Sequence, residues 1–189
     1  MKHFLIRLAT WLQDHRREYY DSLHPGLSDA DIRSWETKFG FEFPEEFKQL
    51  YQWKNGQPDE NREYLFDFFF FDEMAVIHEQ WEMGCEDLSE FNVEGSMAWG
   101  GSWLRFLSQL DGNGYCLDVH GDLGNPGQII SFAHDGDNHV ACASLTRMIE
   151  MILSLLEQGV YAYKENNDKD SFVMVDEETR EKIYAEFMM

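Results

Sequence analysis

Residues 23–57 read LHPGLSDADIRSWETKFGFEFPEEFKQLYQWKNGQ, and this stretch spells out two short helices with the turn between them. Ser28 stands where a helix N-cap is wanted. Asp31, three residues on, occupies the capping-box position, so each of the two can satisfy an otherwise orphaned N–H of the other. Gly40 can end this helix in the left-handed conformation that a Cβ disfavours. Pro44 then suits a first helical position, where its missing N–H costs nothing, and Glu45 and Glu46 favour the positive end of the helix dipole. Asn55-Gly56 stops the second helix. A helical hairpin follows from local chemistry alone.

Upstream, residues 3–20 place Phe4, Leu5, Leu8, Trp11 and Leu12 on one stripe, with Tyr19 near its end, which predicts one amphipathic helix packed on the core. Downstream, the run YLFDFFFF over residues 64–71 reads as a strand by its aromatic content and short bounded length. Phe66, Phe68 and Phe70 would share one face and Leu65, Phe69 and Phe71 the other. From residue 73 to about 91 the period turns helical. Met74, Ile77, Trp81, Cys85 and Leu88 form one stripe, and Glu79, Glu82, Glu86 and Glu90 gather opposite.

Strands separated by Gly, Asn, Asp and Pro turns are expected at 103–107, 115–120, 128–133 and 138–142, as an antiparallel meander. Ser144 can cap the next helix, whose Leu145, Met148, Ile149, Ile152, Leu155 and Leu156 make a broad apolar face across the sheet. A short strand near 172–175 and a last helix opened at Asp176 complete the chain. The expected class is α+β, a mostly antiparallel sheet with helices packed around it.

The order of these signals resembles a family. A capped helix, then Gly-hydrophobic-x-hydrophobic-Pro-Glu, then a helix running into Asn-Gly, looks like the N-terminal signature of the SUKH superfamily. A second block follows it: WLRFL from Trp103, DGNGYCLD over 111–118, GQIISF from Gly127 and His134-Asp-Gly-Asp. The resemblance implies a single SUKH-like domain over 1–189, with the family-like core at about 23–156. The helix over 3–20 and a C-terminal extension over 160–189 lie outside that core, and either can supply a private interface or a homodimer contact.

Composition agrees with a folded chain: 189 residues, 43% hydrophobic and 15% aromatic, are enough to bury a sizeable core. The formal net charge of -21 repels nucleic acid and anionic membranes and attracts basic proteins. Cys85, Cys116 and Cys142 are odd in number and lack Cys-x-x-Cys spacing, so neither a disulfide framework nor a zinc knuckle is indicated. Arg7 interrupts the N-terminal apolar run and no small-residue cleavage site follows. With no long apolar stretch either, a cytoplasmic location is expected.

The acidity is concentrated. Between residues 63 and 146 stand 15 Asp and Glu against one basic residue, Arg105. Like charges this dense repel one another, and the repulsion is tolerable where a negative field serves a function. The expected partner surface is therefore the carboxylate face carrying Glu79, Glu82, Glu86, Asp87 and Glu90, extended by Asp59, Glu60 and Glu63.

Chemistry by the chain itself finds less support. Asp118, His120 and Asp122 together with His134, Asp135, Asp137 and His139 have ligand-like spacing, and a metal-dependent hydrolase built on Asp118, His120, Asp122, His134 and His139 is a third reading. The same residue types also make ordinary hairpin turns, and the EF-hand pattern is incomplete. The sequence carries no nucleophile elbow, phosphate-cradling loop or dinucleotide fingerprint, and the cysteines lie in apolar or acidic surroundings that keep thiols protonated. No catalytic residue, no cofactor and no metal is assigned. Trp35 and Trp103 read as core, and Trp99 as a rim or pocket residue.

What the resemblance implies is an interaction protein. Bacterial members of the superfamily are typically encoded beside secreted polymorphic toxins, many of them nucleases or deaminases, and protect the producing cell by binding the toxin domain. The expected function is thus an immunity protein that engages a basic toxin through an acidic surface. The alternative, implied by the yeast members, is a regulatory scaffold for cell-wall assembly.

Overall fold

The computed structural model describes residues 1–58, 63–90, 99–134, 137–166 and 169–189. Four helices come first: α1 (Lys2–His15), α2 (Arg17–Ser22), α3 (Asp29–Phe39) and α4 (Glu45–Trp53). The capping box forms as its spacing requires. Asp31 N–H donates to Ser28 Oγ at 3.2 Å and Ser28 N–H donates to Asp31 Oδ2 at 3.0 Å. Gly40 ends α3 at φ 78°, and Pro44 precedes the first turn of α4 as its N-cap.

The single N-terminal helix expected over 3–20 is two helices. Arg16 breaks it at φ −143° and ψ 53° because its side chain is drawn inward, leaving the residue 2% exposed. There its guanidinium donates to the Leu65 carbonyl at 2.9 Å, to the Tyr163 hydroxyl at 3.2 Å and to Glu63 Oε2 at 3.1 Å. It also lies 4.1 Å from the Tyr19 ring and 4.0 Å from the Phe172 ring.

The aromatic run over 64–71 is a turn with a stub of strand. Only β1 (Phe70–Phe71) is extended, while Asp67 and Phe68 take left-handed backbone at φ 43° and 66° and an isolated bridge joins Phe66 to Phe69. Doubling back lets Leu65, Phe66 and Phe69 all enter the interior. The left-handed pair, uncommon away from glycine, is held from outside the segment: Asp67 accepts hydrogen bonds from Arg180 and from the Tyr184 hydroxyl.

The sheet continues with β2 (Trp103–Ser108), β3 (Gly114–Asp118), β4 (Ile129–Phe132) and β5 (His139–Cys142), antiparallel in the order β1-β2-β3-β4-β5. Between β1 and β2 comes α5 (Met74–Glu90), and after β5 comes α6 (Leu145–Glu157), capped by Ser144, whose Oγ accepts from Arg147 N–H at 3.2 Å. A separate antiparallel hairpin, β6 (Tyr161–Asn166) and β7 (Lys169–Met174), stands where a short strand alone is expected, and α7 (Glu177–Phe187) closes the chain.

Both faces of the sheet are covered. Leu104, Leu117 and Ile129 point into the main core with α6, eight of whose residues are buried, and α1 and α7 pack on α6 in turn. Alternate positions Trp103, Cys116, Ile130 and Phe132 form a second apolar cluster with Trp99, against which Cys85 of α5 packs. Trp99 is therefore a core residue and not a rim one; a Cβ at Gly84 would lie 2.6 Å from its ring, so this helical glycine makes room for it.

Candidate functional site

The partner surface expected from the sequence is built on α5. Glu79 and Glu82 are exposed on that helix, and Glu82 Oε2 lies 3.3 Å from His78 Nδ1 one turn back. The α5 backbone runs on through Glu86, Asp87 and Glu90, whose side chains lie outside the described residues, as do Asp59 and Glu60 altogether. Glu63 is exposed, but one of its oxygens is engaged by the buried Arg16 and by the Tyr163 hydroxyl at 3.3 Å. Its charge is matched locally, which reduces what it adds to the outward field.

On the flank of α5 that carries Val76 and Gln80, the structure places a polar cavity of about 260 Å³ that sequence reading missed. Val76 and Gln80 line it from α5, Arg105 and Ser108 from β2, Gln57 and Pro58 from the segment after α4, and Asp72 from the link between β1 and α5. Asp72 is the centre of this arrangement. Its residue is 7% exposed; Ser108 Oγ donates to Oδ1 at 2.7 Å and Gln80 Nε2 approaches Oδ2 at 3.4 Å. Burial pushes the carboxyl up to about 6, against the opposing pull of the Ser108 hydroxyl, the Arg105 charge and the Gln80 amide.

Arg105 and Ser108 meet on one face of β2 because the strand is bulged. Arg105 pairs with Cys116 and Leu107 with Tyr115, so Phe106 is an extra residue and the alternation of faces shifts by one. Arg105 Nε donates to Gln80 Oε1 at 2.9 Å and Nη1 to the Gly112 carbonyl at 2.6 Å, tying α5, β2 and the β2–β3 turn together. The one available signal was Arg105 itself, the single basic residue in a long acidic stretch.

The metal-type residues serve a turn. Asp118 is fully buried and its carboxylate accepts four backbone N–H groups, from Gly121 and Asp122 on Oδ1 at 2.9 and 2.8 Å and from Leu123 and Gly124 on Oδ2 at 3.0 and 3.2 Å. Asp122 Oδ2 accepts from Ser102 N–H at 2.7 Å and Ser102 Oγ at 2.8 Å. His120 packs its ring on Phe41, His134 bonds to Asn113 at 3.2 Å, and His139 Nδ1 lies 3.3 Å from the Asp137 carbonyl. Among the described residues no group of three or more His, Cys, Asp or Glu is placed to hold a metal ion; Asp135 lies outside them. Burial raises the thiols of Cys85, Cys116 and Cys142 above their ordinary range, which disfavours nucleophilic use.

Among the described residues no helix is long and apolar enough to cross a membrane. Among the described residues α5 presents the exposed Glu79 and Glu82, with the partly exposed Trp81 beside them packing on Phe41 and Phe39. Such a surface suits recognition of a protein.

No curated protein matches the chain. A family-wide sequence profile does match, and it spans residues 26–151, from the turn before the capping box of α3 to the middle of α6. The chain belongs to the SMI1 / KNR4 family (SUKH-1).

Proposed function

We propose that this protein is an immunity protein, which binds a cognate bacterial toxin domain through the acidic face of α5 and neutralises it without chemistry of its own. The observation that carries this reading is the placement of charge. Fifteen acidic residues against Arg105 between positions 63 and 146 include the exposed Glu79 and Glu82 of α5. A nuclease or nucleic-acid deaminase presents a positive groove to phosphates, and an anionic protein is both attracted to that groove and able to occupy it. A regulatory scaffold of the cell-wall type fits the family equally, but gives no reason for so one-sided a charge balance along this stretch.

The test is co-expression with the candidate toxin from the adjacent reading frame, scored for growth rescue and a stable copurifying complex. Within that complex, reversing Glu79, Glu82 and Glu86 to Lys should slow association at least tenfold at low salt and flatten its salt dependence, with dissociation little changed. Binding indifferent to the triple reversal would place the interface elsewhere. Neither rescue nor a complex, in a chain whose neighbours encode no secreted protein, would favour the scaffold.

A further inference from the structure

We propose that the cavity between α5 and β2 is a receptor for one basic side chain, lysine or arginine, carried by the protein partner that the acidic face attracts. Size is the first argument. At about 260 Å³ the cavity falls below the roughly 300–1,000 Å³ of sites that enclose small molecules, yet holds a single long side chain. Charge is the second. Asp72 and Glu73 line it against the one guanidinium of Arg105, inside a chain of net charge -21. Arg105 is turned to structural use, with Nε on Gln80 and Nη1 on the Gly112 carbonyl.

The third argument is unused bonding capacity. An ionised carboxylate offers about four acceptor positions, and among the described residues the Asp72 carboxylate accepts one bond from Ser108 and a long one of 3.4 Å from Gln80. A buried carboxylate with acceptor positions to spare, beside an Arg105 guanidinium that is bonded elsewhere, gains from an arriving cation, and burial already disfavours its charge. Phe70 adds a ring to the wall, over which an ammonium or guanidinium is attracted.

The rim is built for a protein rather than a free ion. Gln109, in the wall, donates to the Asp67 carbonyl at 3.2 Å and so ties the left-handed turn to the cavity. That turn presents Phe68, 62% exposed, and Leu110 at the wall is 72% exposed. Apolar groups around a buried charge pair exclude water from it, the arrangement of an interface hot spot. The assignment of the occupant to a protein rests on the immunity reading above.

The probes are N-acetyl-arginine amide and N-acetyl-lysine amide, titrated into the full-length chain and followed through backbone and side-chain amides. Expected are saturable shifts at Asp72, Ser108 and the Arg105 Nε–H, with affinity at least fivefold weaker in Asp72→Asn. Glu73→Gln, at the rim, should weaken it about twofold. Shifts that do not saturate, that survive Asp72→Asn, or that appear equally with N-acetyl-norleucine amide or N-acetyl-glutamate amide would overturn the proposal. Tighter binding of spermidine than of either blocked residue, by tenfold, would overturn the protein side chain as occupant. The titration requires no partner, so its failure leaves the toxin-binding reading standing. Saturable, Asp72-dependent binding alongside failed growth rescue would sink only the toxin reading.

Discussion

Arg105 and Ser108 stand three residues apart on β2 and yet face the same carboxylate, Asp72, because Phe106 is an extra residue in the pairing with β3. In an unbulged strand, positions separated by three point to opposite faces. One inserted residue thus places a hydroxyl donor and a guanidinium beside a buried acid, next to the most acidic helix of the chain. It also leaves both Phe106 and Leu107 buried in the main core.

The first prediction concerns the pH dependence of stability. Asp72 titrates near 6 when folded and near its ordinary 3.8 when unfolded, so the folded chain holds this proton more tightly. Its contribution is full below about pH 4 and is lost as pH rises through about 6, a loss of about 3 kcal/mol at about 1.4 kcal/mol per pH unit. Facing it are Arg105 and Ser108 from β2, Gln80 from α5, the Tyr51 hydroxyl on its backbone carbonyl, and Glu73 with its partner His24. Urea unfolding near pH 4 and near pH 7 should show the difference between the two shrink by that amount in Asp72→Asn. An unchanged difference would mean that Asp72 is not the group concerned.

A second prediction separates a turn from a metal site. With four N–H groups on its carboxylate, Asp118 holds residues 121–124 in place. Asp118→Asn retains one acceptor oxygen and turns an NH₂ group toward two of those donors, so stability should fall by about 3 kcal/mol. Thermal unfolding of the unaltered protein should be indifferent to a strong chelator. A large chelator-dependent fall in Tm would restore the metal reading.

The third prediction turns on an unequal pair. Arg16 is wholly buried at its side chain while Glu63 is 47% exposed, so removing the acid leaves a buried cation short of its counter-charge. Glu63→Gln should destabilise by about 1–2 kcal/mol. Arg16→Lys should lose more, because one ammonium cannot reach the Leu65 carbonyl, the Tyr163 hydroxyl and Glu63 at once. Denaturant midpoints for the two variants check the order, and equal losses would show that the packing of the Arg16 stem dominates.

How far this structure is legible in its sequence depends on the range of the forces involved. The capping box of Ser28 and Asp31, the stop at Gly40, the apolar stripe of α6 and the turns from β2 to β5 are local, and the spacing announces each of them. The left-handed turn at Asp67 and Phe68 is not announced, since it contains no Gly, Pro or Asn and is held by Arg180 and Tyr184 more than a hundred residues away. The break at Arg16 likewise needs acceptors from two distant segments. At the candidate site, period alone puts Glu79 and Glu82 in water. The Asp72 cavity depends on a one-residue register offset that a reading by strict alternation passes over.

Gly84 supplies a fourth prediction, in which two effects of similar size oppose each other. Inside a helix, Gly to Ala ordinarily stabilises by about 1 kcal/mol, because alanine loses less backbone entropy. Here the added methyl would lie 2.6 Å from the Trp99 ring, which is itself packed at 5.1 Å from Phe132 and 6.1 Å from Trp103, so the ring has little room to retreat. Overpacking of that kind costs about 1–3 kcal/mol. Gly84→Ala should therefore come out destabilising by up to about 2 kcal/mol, with a lowered denaturant midpoint and altered tryptophan fluorescence. A stabilised protein would mean that Trp99 does not rest on α5, and the second apolar cluster would lose its lid.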